Sequence, residues 1–236
     1  MEENVTVAIE LSLFDFQSRR IEKLKDLSVR KLIRKKNPYL FAATGVEKPD
    51  DLVRSMVKAF LSSSEETIMG NSFFEPIALA VSGGRKSSSE GIDIEIDVGN
   101  VRRLIAVKSG TSVFNSNSKA KQDVWFKKAR RILAASGIAP DCVVGYAYGN
   151  TRFRESSKFV FRQLAGQQFW EFLTGNPFFY RNLFQRVLTG HQAYAAEYEE
   201  AVAETIERMT DEVRGALSDE SGNLDWNAYL AMNSGY

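Results

Sequence analysis

The sequence predicts an α/β fold: a small central mixed sheet flanked by helices, with helix-rich N-terminal and C-terminal parts. Two observations support this prediction. From Gly91 to Asp97, isoleucines alternate with charged side chains, which is the two-residue period of a β-strand. On both sides of this central region, apolar residues recur at helical spacing. Helices, a hairpin, a helix, strands and further helices follow one another in the order of a layered α/β protein.

The first third of the chain is predicted to be helical. A first helix over residues 5–36 ends before Pro38, because the residue that precedes a proline avoids the α region. A second helix begins at Pro49. Three serines followed by two glutamates predict a capped third helix over residues 62–81. Residues 83–89 are predicted to form a flexible basic loop.

A β-hairpin is predicted next, with a tight turn at residues 99–100 and a second strand over residues 102–108. The turn sets the register of the two strands, and in that register Gly91 lies opposite Lys108.

Strand alternation then divides the hairpin side chains between two faces. One face carries Asp93, Glu95 and Lys108, near the open end of the hairpin. The opposite face carries the apolar side chains Ile92, Ile94, Ile96, Ile105 and Val107.

The remaining predicted elements are a basic helix over 119–136, strands over 141–148 and 159–164, and helices from 167 onward. We expect the basic helix to pack Val124, Ile132 and Leu133 inward. Cys142 begins an apolar strand, and we expect its thiol to be buried and inert.

Charge is unevenly distributed, although the net charge is only +1. Nine Lys or Arg lie within residues 19–36 and six within 119–131, whereas ten Asp or Glu lie within 197–225. The asymmetry favours a polyanionic partner for the first two thirds of the chain. Each basic segment alone is also typical of an ordinary solvated helix face.

Composition excludes several classes of protein. A single cysteine excludes an internal disulfide framework, and a single histidine, His191, excludes a cluster of histidine ligands. No signal-peptide pattern opens the chain, and its longest uncharged run is too short to span a bilayer. We therefore expect a cytoplasmic protein with no membrane partner.

The polar face of the hairpin suggests a chemistry. Two carboxylates supply hard oxygen ligands of the kind that Mg²⁺ prefers. A neighbouring lysine can position an attacking water or stabilise charge on a phosphoryl oxygen. Together they suit the hydrolysis of a phosphodiester. The same alternation is also typical of a half-solvated hairpin in which acid and lysine form a simple ion pair.

A family resemblance favours the catalytic interpretation. Residues 90–95 (EGIDIE) and 105–110 (IAVKSG) resemble the PD-(D/E)XK nucleases, specifically the type II restriction endonucleases. Over residues 37–175 the chain is similar to the PmeII-type subgroup of these enzymes. The other segments that carry the resemblance are 37–41, 62–70, 74–76, 84–88, 126–129 and 166–172. They are specific as a set.

The resemblance assigns roles to individual residues. Asp93 takes the position of the metal-binding aspartate, and Lys108 that of the active-site lysine. Glu75 resembles a glutamate on the preceding helix that completes such sites. One position departs from the family pattern: a second carboxylate usually stands two residues before the lysine, and here that position is Ala106.

Two acids are candidates to replace the missing carboxylate. Glu95 is preferred because it lies beside Asp93 in the predicted register, and Asp123 on the following helix is the second candidate. The predicted metal ligands are therefore Asp93, Glu75 and Glu95, and Lys108 completes the predicted catalytic set.

The resemblance implies a Mg²⁺-dependent type II restriction endonuclease that hydrolyses double-stranded DNA at a short specific sequence. It also implies a homodimer and a cognate DNA methyltransferase in the same system. The predicted DNA-binding residues are Arg85, Lys86, Asn115, Asn117 and Lys119. Two other functions stay open: a DNA-binding module with a degenerate nuclease core, motivated by Ala106, and a structure-specific repair nuclease.

A single nuclease domain is predicted over residues 1–236. It would comprise a helical N-terminal part (1–61), a catalytic core (62–175) and a helical C-terminal part (176–236). The C-terminal part is acidic from Glu197 onward and is a candidate dimer interface.

Overall fold

The computed structural model describes residues 2–113, 115–151 and 158–235. Within these ranges the α-helices are α1 (Glu2–Lys25), α2 (Val29–Ile33), α3 (Pro38–Ala43), α4 (Pro49–Ile68), α5 (Glu75–Ser82), α6 (Ser116–Ala135), α7 (Gln167–Thr174), α8 (Phe179–Gly190), α9 (Ala195–Leu217) and α10 (Trp226–Ser234). The strands are β1 (Arg85–Lys86), β2 (Ile94–Val98), β3 (Val101–Lys108), β4 (Ala139–Tyr146) and β5 (Arg162–Ala165). A π-helical segment (Met69–Phe74) lies between α4 and α5.

The chain divides into two compact units. Unit 1 consists of Met1–Phe16 and Ile68–His191, and unit 2 consists of Gln17–Thr67 and Gln192–Tyr236. Unit 1 contains the five described strands, whereas unit 2 is built from helices. The boundaries of these two units differ from the predicted part boundaries at residues 61/62 and 175/176. That the chain forms a single nuclease domain stays a prediction.

The sheet of unit 1 has the order β1-β2-β3-β4-β5. The first three strands pair antiparallel, and β3, β4 and β5 pair parallel. Because β3 and β4 are parallel neighbours, the chain has to return along the sheet between them, and α6 makes that return. The five-stranded mixed sheet with its flanking helices confirms the predicted α/β class.

The hairpin between β2 and β3 has the predicted register. Ile94 pairs with Ile105 and Val98 pairs with Val101, around a turn in which Gly99 has a φ of 59°. The left-handed φ of Gly99 suits a two-residue hairpin turn, which fixes the register of both strands.

The hairpin ends earlier than predicted, so the expected pairing of Gly91 with Lys108 is wrong. Gly91 has a φ of 71°, and its backbone packs so closely against Trp125 that a β-carbon there would collide with the indole ring. The segment before β2 therefore turns toward α6. As a result Ile92 packs with Ala106 in the cluster under α6, not on the Ile94 face as predicted.

Residues 83–89 were expected to form a flexible loop, but they contain strand β1. Arg85 pairs with Glu95 and Lys86 pairs with Ile94 in an antiparallel ladder. The close backbone approach is possible because Gly84 has no side chain, and a β-carbon there would meet the Glu95 carbonyl oxygen.

The predicted first helix is interrupted. α1 ends at Lys25, and α2 begins after Ser28, whose extended backbone and side-chain oxygen cap the amide of Lys31 at 3.3 Å. Asn37 caps α3 in the same way, through the amide of Tyr39 at 3.0 Å.

The predicted cap at residues 62–64 is wrong, because α4 continues through these serines to Ile68. The hydroxyl of Ser64 donates to the Leu61 carbonyl, and the hydroxyl of Thr67 donates to the Ser63 carbonyl. Their side chains therefore bond back into the helix instead of starting a new one.

Helix α6 covers one face of the sheet with a different stripe from the predicted one. Val124 and Ile132 are 63% and 60% exposed. Of the three residues expected inward, only Leu133 is buried. The buried residues of this helix, at helical spacing, are Gln122, Asp123, Phe126, Ala129 and Leu133.

Unit 2 has its own apolar core. The most deeply buried residues of this core are Leu24, Ile33, Leu52, Val53, Met56, Met209, Val213 and Tyr229. The acidic helix α9 contributes to this core through Met209 and Val213 and exposes acids such as Glu200 on its outer side. None of the described helices combines the length and the apolar character needed to cross a bilayer.

We expect the thiol of Cys142 to resist labelling in the folded chain. It is buried in β4, and burial raises its pKa to about 12, so very little thiolate forms near pH 8. An aromatic disulfide reagent should leave the native protein unlabelled and modify one thiol per chain after unfolding in guanidinium. Rapid labelling of the native protein would contradict the burial of this side chain.

Candidate active site

Asp93 lies immediately before β2, where the ladder between β2 and β3 ends. Its amide donates to the Ile105 carbonyl at 2.9 Å, and its Oδ2 accepts a hydrogen bond of 2.6 Å from the Val107 amide. The carboxylate is therefore held by the backbone of β3, and 22% of its side-chain surface stays exposed.

Lys108, the last residue of β3, lies beside this carboxylate. Its Nζ is 3.8 Å from Oδ2 of Asp93. The structure thus brings together the two residues for which the sequence prediction was most specific. Both side chains are about three-quarters shielded, so their interaction is screened less than that of a fully exposed pair.

Glu75 is the first residue of α5 and follows the π-helical segment. That segment packs against the end of β3: a β-carbon at Gly70 would come within 2.8 Å of the Ser109 hydroxyl. This contact holds the segment that leads into the Glu75 helix against Ser109, the residue that follows Lys108. The Glu75 carboxylate itself pairs with Lys86, 3.5 Å away.

Glu95 is already engaged by other side chains. Its carboxylate accepts hydrogen bonds of 2.8 Å from Arg85 and 2.8 Å from Ser87, and Arg102 lies 3.7 Å away. Only 11% of its side-chain surface is exposed. These partners satisfy the carboxylate without a metal ion.

The same cluster continues to the next acid along β2. Hydrogen bonds from Arg102 and then Arg85 lower the pKa of Asp97 to about 2. Conversely, the hydrogen bond to Asp97 raises the pKa of Arg85. Arg85, predicted to bind DNA, is therefore shared between two carboxylates of the hairpin.

Asp123, the alternative acid, lies on α6 and is also engaged. Its Oδ1 accepts a 2.7 Å hydrogen bond from the Val160 amide, and its Oδ2 is 2.6 Å from Nζ of Lys127. It anchors the segment before β5 to α6. Ala106 is fully buried in the cluster beneath the same helix.

The other predicted DNA-binding residues lie in two places. Lys86 is exposed at the sheet edge, in β1. Asn115 caps α6 by accepting a hydrogen bond of 2.9 Å from the Ser118 amide, and Asn117 is exposed in the first turn of that helix. Lys119 is half-buried one turn further along.

The predicted metal ligands do not form a three-acid cluster. Within residues 2–113, 115–151 and 158–235, no three His, Cys, Asp or Glu side chains are placed to hold one metal ion together. Mg²⁺, however, is commonly held by one or two carboxylates, with waters and substrate phosphates as the other ligands. Asp93, partly exposed and held by an amide and a lysine, fits that kind of site.

Two residues near Asp93 were missed by the sequence prediction. Ser87 holds Glu95, and Gln122 donates from Nε2 to the Gly91 carbonyl at 2.6 Å. Gln122 carries a sequence signal, because it lies one helical turn before Phe126 on the buried stripe of α6. A buried amide in such a stripe is unusual enough to mark a specific contact.

One of the comparisons with known proteins gives a match to this chain. A family model described as type II restriction endonuclease EcoO109I matches residues 3–195, which is most of the 236-residue sequence. A search of curated protein sequences gives no match. Restriction endonucleases are nucleases that act on DNA, which agrees with an acid–lysine pair at the end of a hairpin. The chain belongs to the EcoO109I family of type II restriction endonucleases.

Proposed function

We propose that this protein is a Mg²⁺-dependent endonuclease that cleaves double-stranded DNA at a short specific sequence, with Asp93 and Lys108 at the centre of its active site. The observation that carries the proposal is the pair itself. A carboxylate fixed by the Val107 amide lies 3.8 Å from a lysine ammonium at the end of the hairpin.

Asp93 would hold the metal ion, and Glu75 is the second candidate ligand. A bound Mg²⁺ polarises phosphoryl oxygens and lowers the pKa of water. The amide of Val107 keeps one oxygen of Asp93 in place, so the carboxylate needs little reorganisation to bind a cation. To join it, Glu75 has to exchange its contact with Lys86.

Lys108 would act on the attacking water and on the phosphate. In hydrolysis, water adds to phosphorus while one P–O bond breaks, and the departing oxygen gains a proton from solvent. An ammonium group beside the reacting phosphate stabilises the negative charge that develops on its oxygens. It also orients the water through a hydrogen bond.

We assign this site to the PD-(D/E)XK type, in a chain similar to the PmeII-type subgroup. The support is the placement of the matching residues: Asp93 before the second strand of the sheet, Lys108 at the end of the third, and Glu75 on the helix before them. The departure at Ala106 leaves the second acid unassigned. Glu95 fills this role only if its carboxylate leaves Arg85 and Ser87.

Two observations support a competing proposal, a DNA-binding module with a degenerate nuclease core. Ala106 is buried in an apolar cluster, and both candidate replacement acids are paired with other residues. Such a protein binds DNA but does not cleave it. A structure-specific repair nuclease would use the same residues and cut without sequence preference.

We expect plasmid DNA to be cut into discrete bands by the wild-type protein with Mg²⁺ and to stay intact with EDTA. Asp93→Asn should lower the cleavage rate by roughly 10³-fold or more, because it removes the charge that holds the metal ion. Lys108→Met should have an effect of similar size, since it removes the charge beside the phosphate. The measurement is single-turnover cleavage on a gel.

Lys127→Met is the matched control, because Lys127 also pairs with an aspartate, Asp123, but lies on α6. It should cleave as the wild type does. Binding without cleavage under every divalent metal would establish the degenerate core. A metal-dependent smear would point to a nuclease without sequence recognition.

We further propose that Lys86, Asn115, Asn117 and Lys119 contact DNA, with Arg85 held nearby by Glu95 and Asp97. The last three residues belong to the start of α6, where amide groups and the helix dipole favour phosphate. Lys86 is 73% exposed, so its ammonium remains available to a phosphate despite the contact with Glu75.

We expect Lys86→Ala and Lys119→Ala each to weaken DNA binding in EDTA. Each should also reduce the magnitude of the slope of log K against log salt concentration by about one. Fluorescence anisotropy with a labelled duplex, measured at several salt concentrations, gives both the affinity and the salt slope. Lys48→Ala, an exposed lysine of unit 2, is the control and should change neither. Unchanged salt slopes for both test variants would remove these lysines from the DNA interface.

A homodimer is part of the proposal, because cutting both strands of a palindrome matches a protein two-fold axis to that of the DNA. The acidic helix α9 is poorly suited to contact DNA and is our candidate for the dimer interface. A cognate methyltransferase that modifies the same sequence would protect the host DNA.

Sedimentation equilibrium should give a mass about twice the 26.5 kDa of one chain at micromolar concentration. The dimer should also persist when the Asp93→Asn protein binds a duplex. A mass of one chain, both free and on DNA, would contradict the dimer.

A further inference from the structure

Gln122 has a buried amide oxygen that accepts no hydrogen bond from the residues that the structure describes. The side chain has no exposed surface, and its Nε2 donates to the Gly91 carbonyl at 2.6 Å. Its Oε1 has no hydrogen-bond partner among the described residues. Buried polar atoms are nearly always satisfied, so an orphaned acceptor marks a place where a ligand or ordered water belongs.

The amide head of Gln122 lies at the segment that leads into Asp93. Gly91 is two residues before that aspartate; its carbonyl accepts the hydrogen bond from Gln122, and its α-carbon packs against the Trp125 ring. Both Gln122 and Trp125 belong to the first half of α6. Asp93 is therefore placed by α6 as well as by β3.

Gln122 also lies on the side of the sheet that carries Ala106. It is one helical turn from Phe126, and Phe126 packs with Ile92 and Ala106 in a single cluster. Strand alternation directs Lys108 to the same side as Ala106. Because α6 runs back along the sheet from the end of β3, its first turns lie at the Lys108 end.

The two acids considered as replacements for the carboxylate missing at position 106 are both bound by other residues. Glu95 is bound by Arg85 and Ser87, and Asp123 by Val160 and Lys127. Among the described residues, the Oε1 of Gln122 accepts no hydrogen bond, and the Nε2 of the same side chain donates to the carbonyl of Gly91, two residues before Asp93.

We propose that Gln122 takes the place of the acid missing at position 106, and that its Oε1 supplies an oxygen ligand to the divalent cation held by Asp93. This inference rests on the proposed function. Side-chain amide oxygens are accepted ligands of hard cations, although they add no negative charge. A site with Asp93 and Gln122 has one negative charge fewer than a site with two carboxylates, and it binds its cation more weakly.

Calorimetric titration of the full chain with Mn²⁺ tests the proposal without relying on cleavage. Gln122→Glu should tighten Mn²⁺ binding by about tenfold or more, and Gln122→Met should weaken it by about tenfold or more. Gln163→Glu is the matched control, because the Oε1 of Gln163 is satisfied by the Tyr146 hydroxyl at 2.8 Å. It should bind Mn²⁺ as the wild type does.

The outcomes separate this inference from the proposed function. If folded Gln122→Glu and Gln122→Met proteins bind Mn²⁺ as the wild type does, while Asp93→Asn does not bind, the role of Gln122 is structural and only the inference fails. If the wild type binds no Mn²⁺, or Asp93→Asn binds it equally well, the metal site of the proposed function fails, and the inference fails with it. Tightening by Gln122→Glu alone suffices to support the role if the Met variant does not fold.

Discussion

The hydrogen bond between the Val107 amide and the carboxylate of Asp93 is the contact on which the geometry of the candidate active site depends. In an extended hairpin, a backbone carbonyl of the neighbouring strand would accept from that amide. Here a side-chain oxygen takes the place of the carbonyl at the point where the ladder stops. The orientation of the carboxylate is consequently set by the backbone of β3, a central strand paired on both sides. Lys108 follows on the same strand, so the acid and the lysine share one rigid support. Such support from regular structure keeps a functional pair in position more reliably than two loops would.

Electrostatics divides the hairpin into two regions. At the turn end, Glu95 and Asp97 are neutralised by Arg85 and Arg102 in a cluster of ion pairs, and the arginine hydrogen bonds hold the pKa of Asp97 at about 2. At the open end, Asp93 contacts an amide and the ammonium of Lys108 at a longer separation. A carboxylate paired with guanidinium groups gains little from a further cation, whereas one paired with a single ammonium at 3.8 Å retains more attraction for it. The distribution of arginines thus distinguishes the acid suited to metal binding from the acids that stabilise the hairpin.

The sequence predicted the sheet class, the hairpin register and the proximity of Asp93 to Lys108, because alternation and a glycine turn are local signals. It did not predict where the hairpin ends. Gly91 continues the alternating pattern, and only its packing against Trp125, thirty-four positions away in sequence, shows that the chain leaves the sheet there. β1 was missed for a similar reason, since its pairing depends on Gly84 lying against the Glu95 backbone. The stripe of α6 was assigned to the more apolar residues Val124 and Ile132, but the geometry of the crossover buries Gln122 and Phe126 instead. In each case a contact distant in sequence overrides a local preference.

β1 also bears on how two copies of this protein can associate. A sheet edge with free backbone groups is a template for another strand, and many assemblies grow by continuing a sheet from one subunit into the next. The edge formed by β1 is only two residues long, and both residues, Arg85 and Lys86, are exposed cations. Such a short edge offers few amide groups to share, and its charged side chains disfavour pairing with a second strand. The β1 edge is therefore poorly suited to continue the sheet into a second copy of the chain. For the same reason it gives little opportunity for amyloid-like stacking when the protein is concentrated.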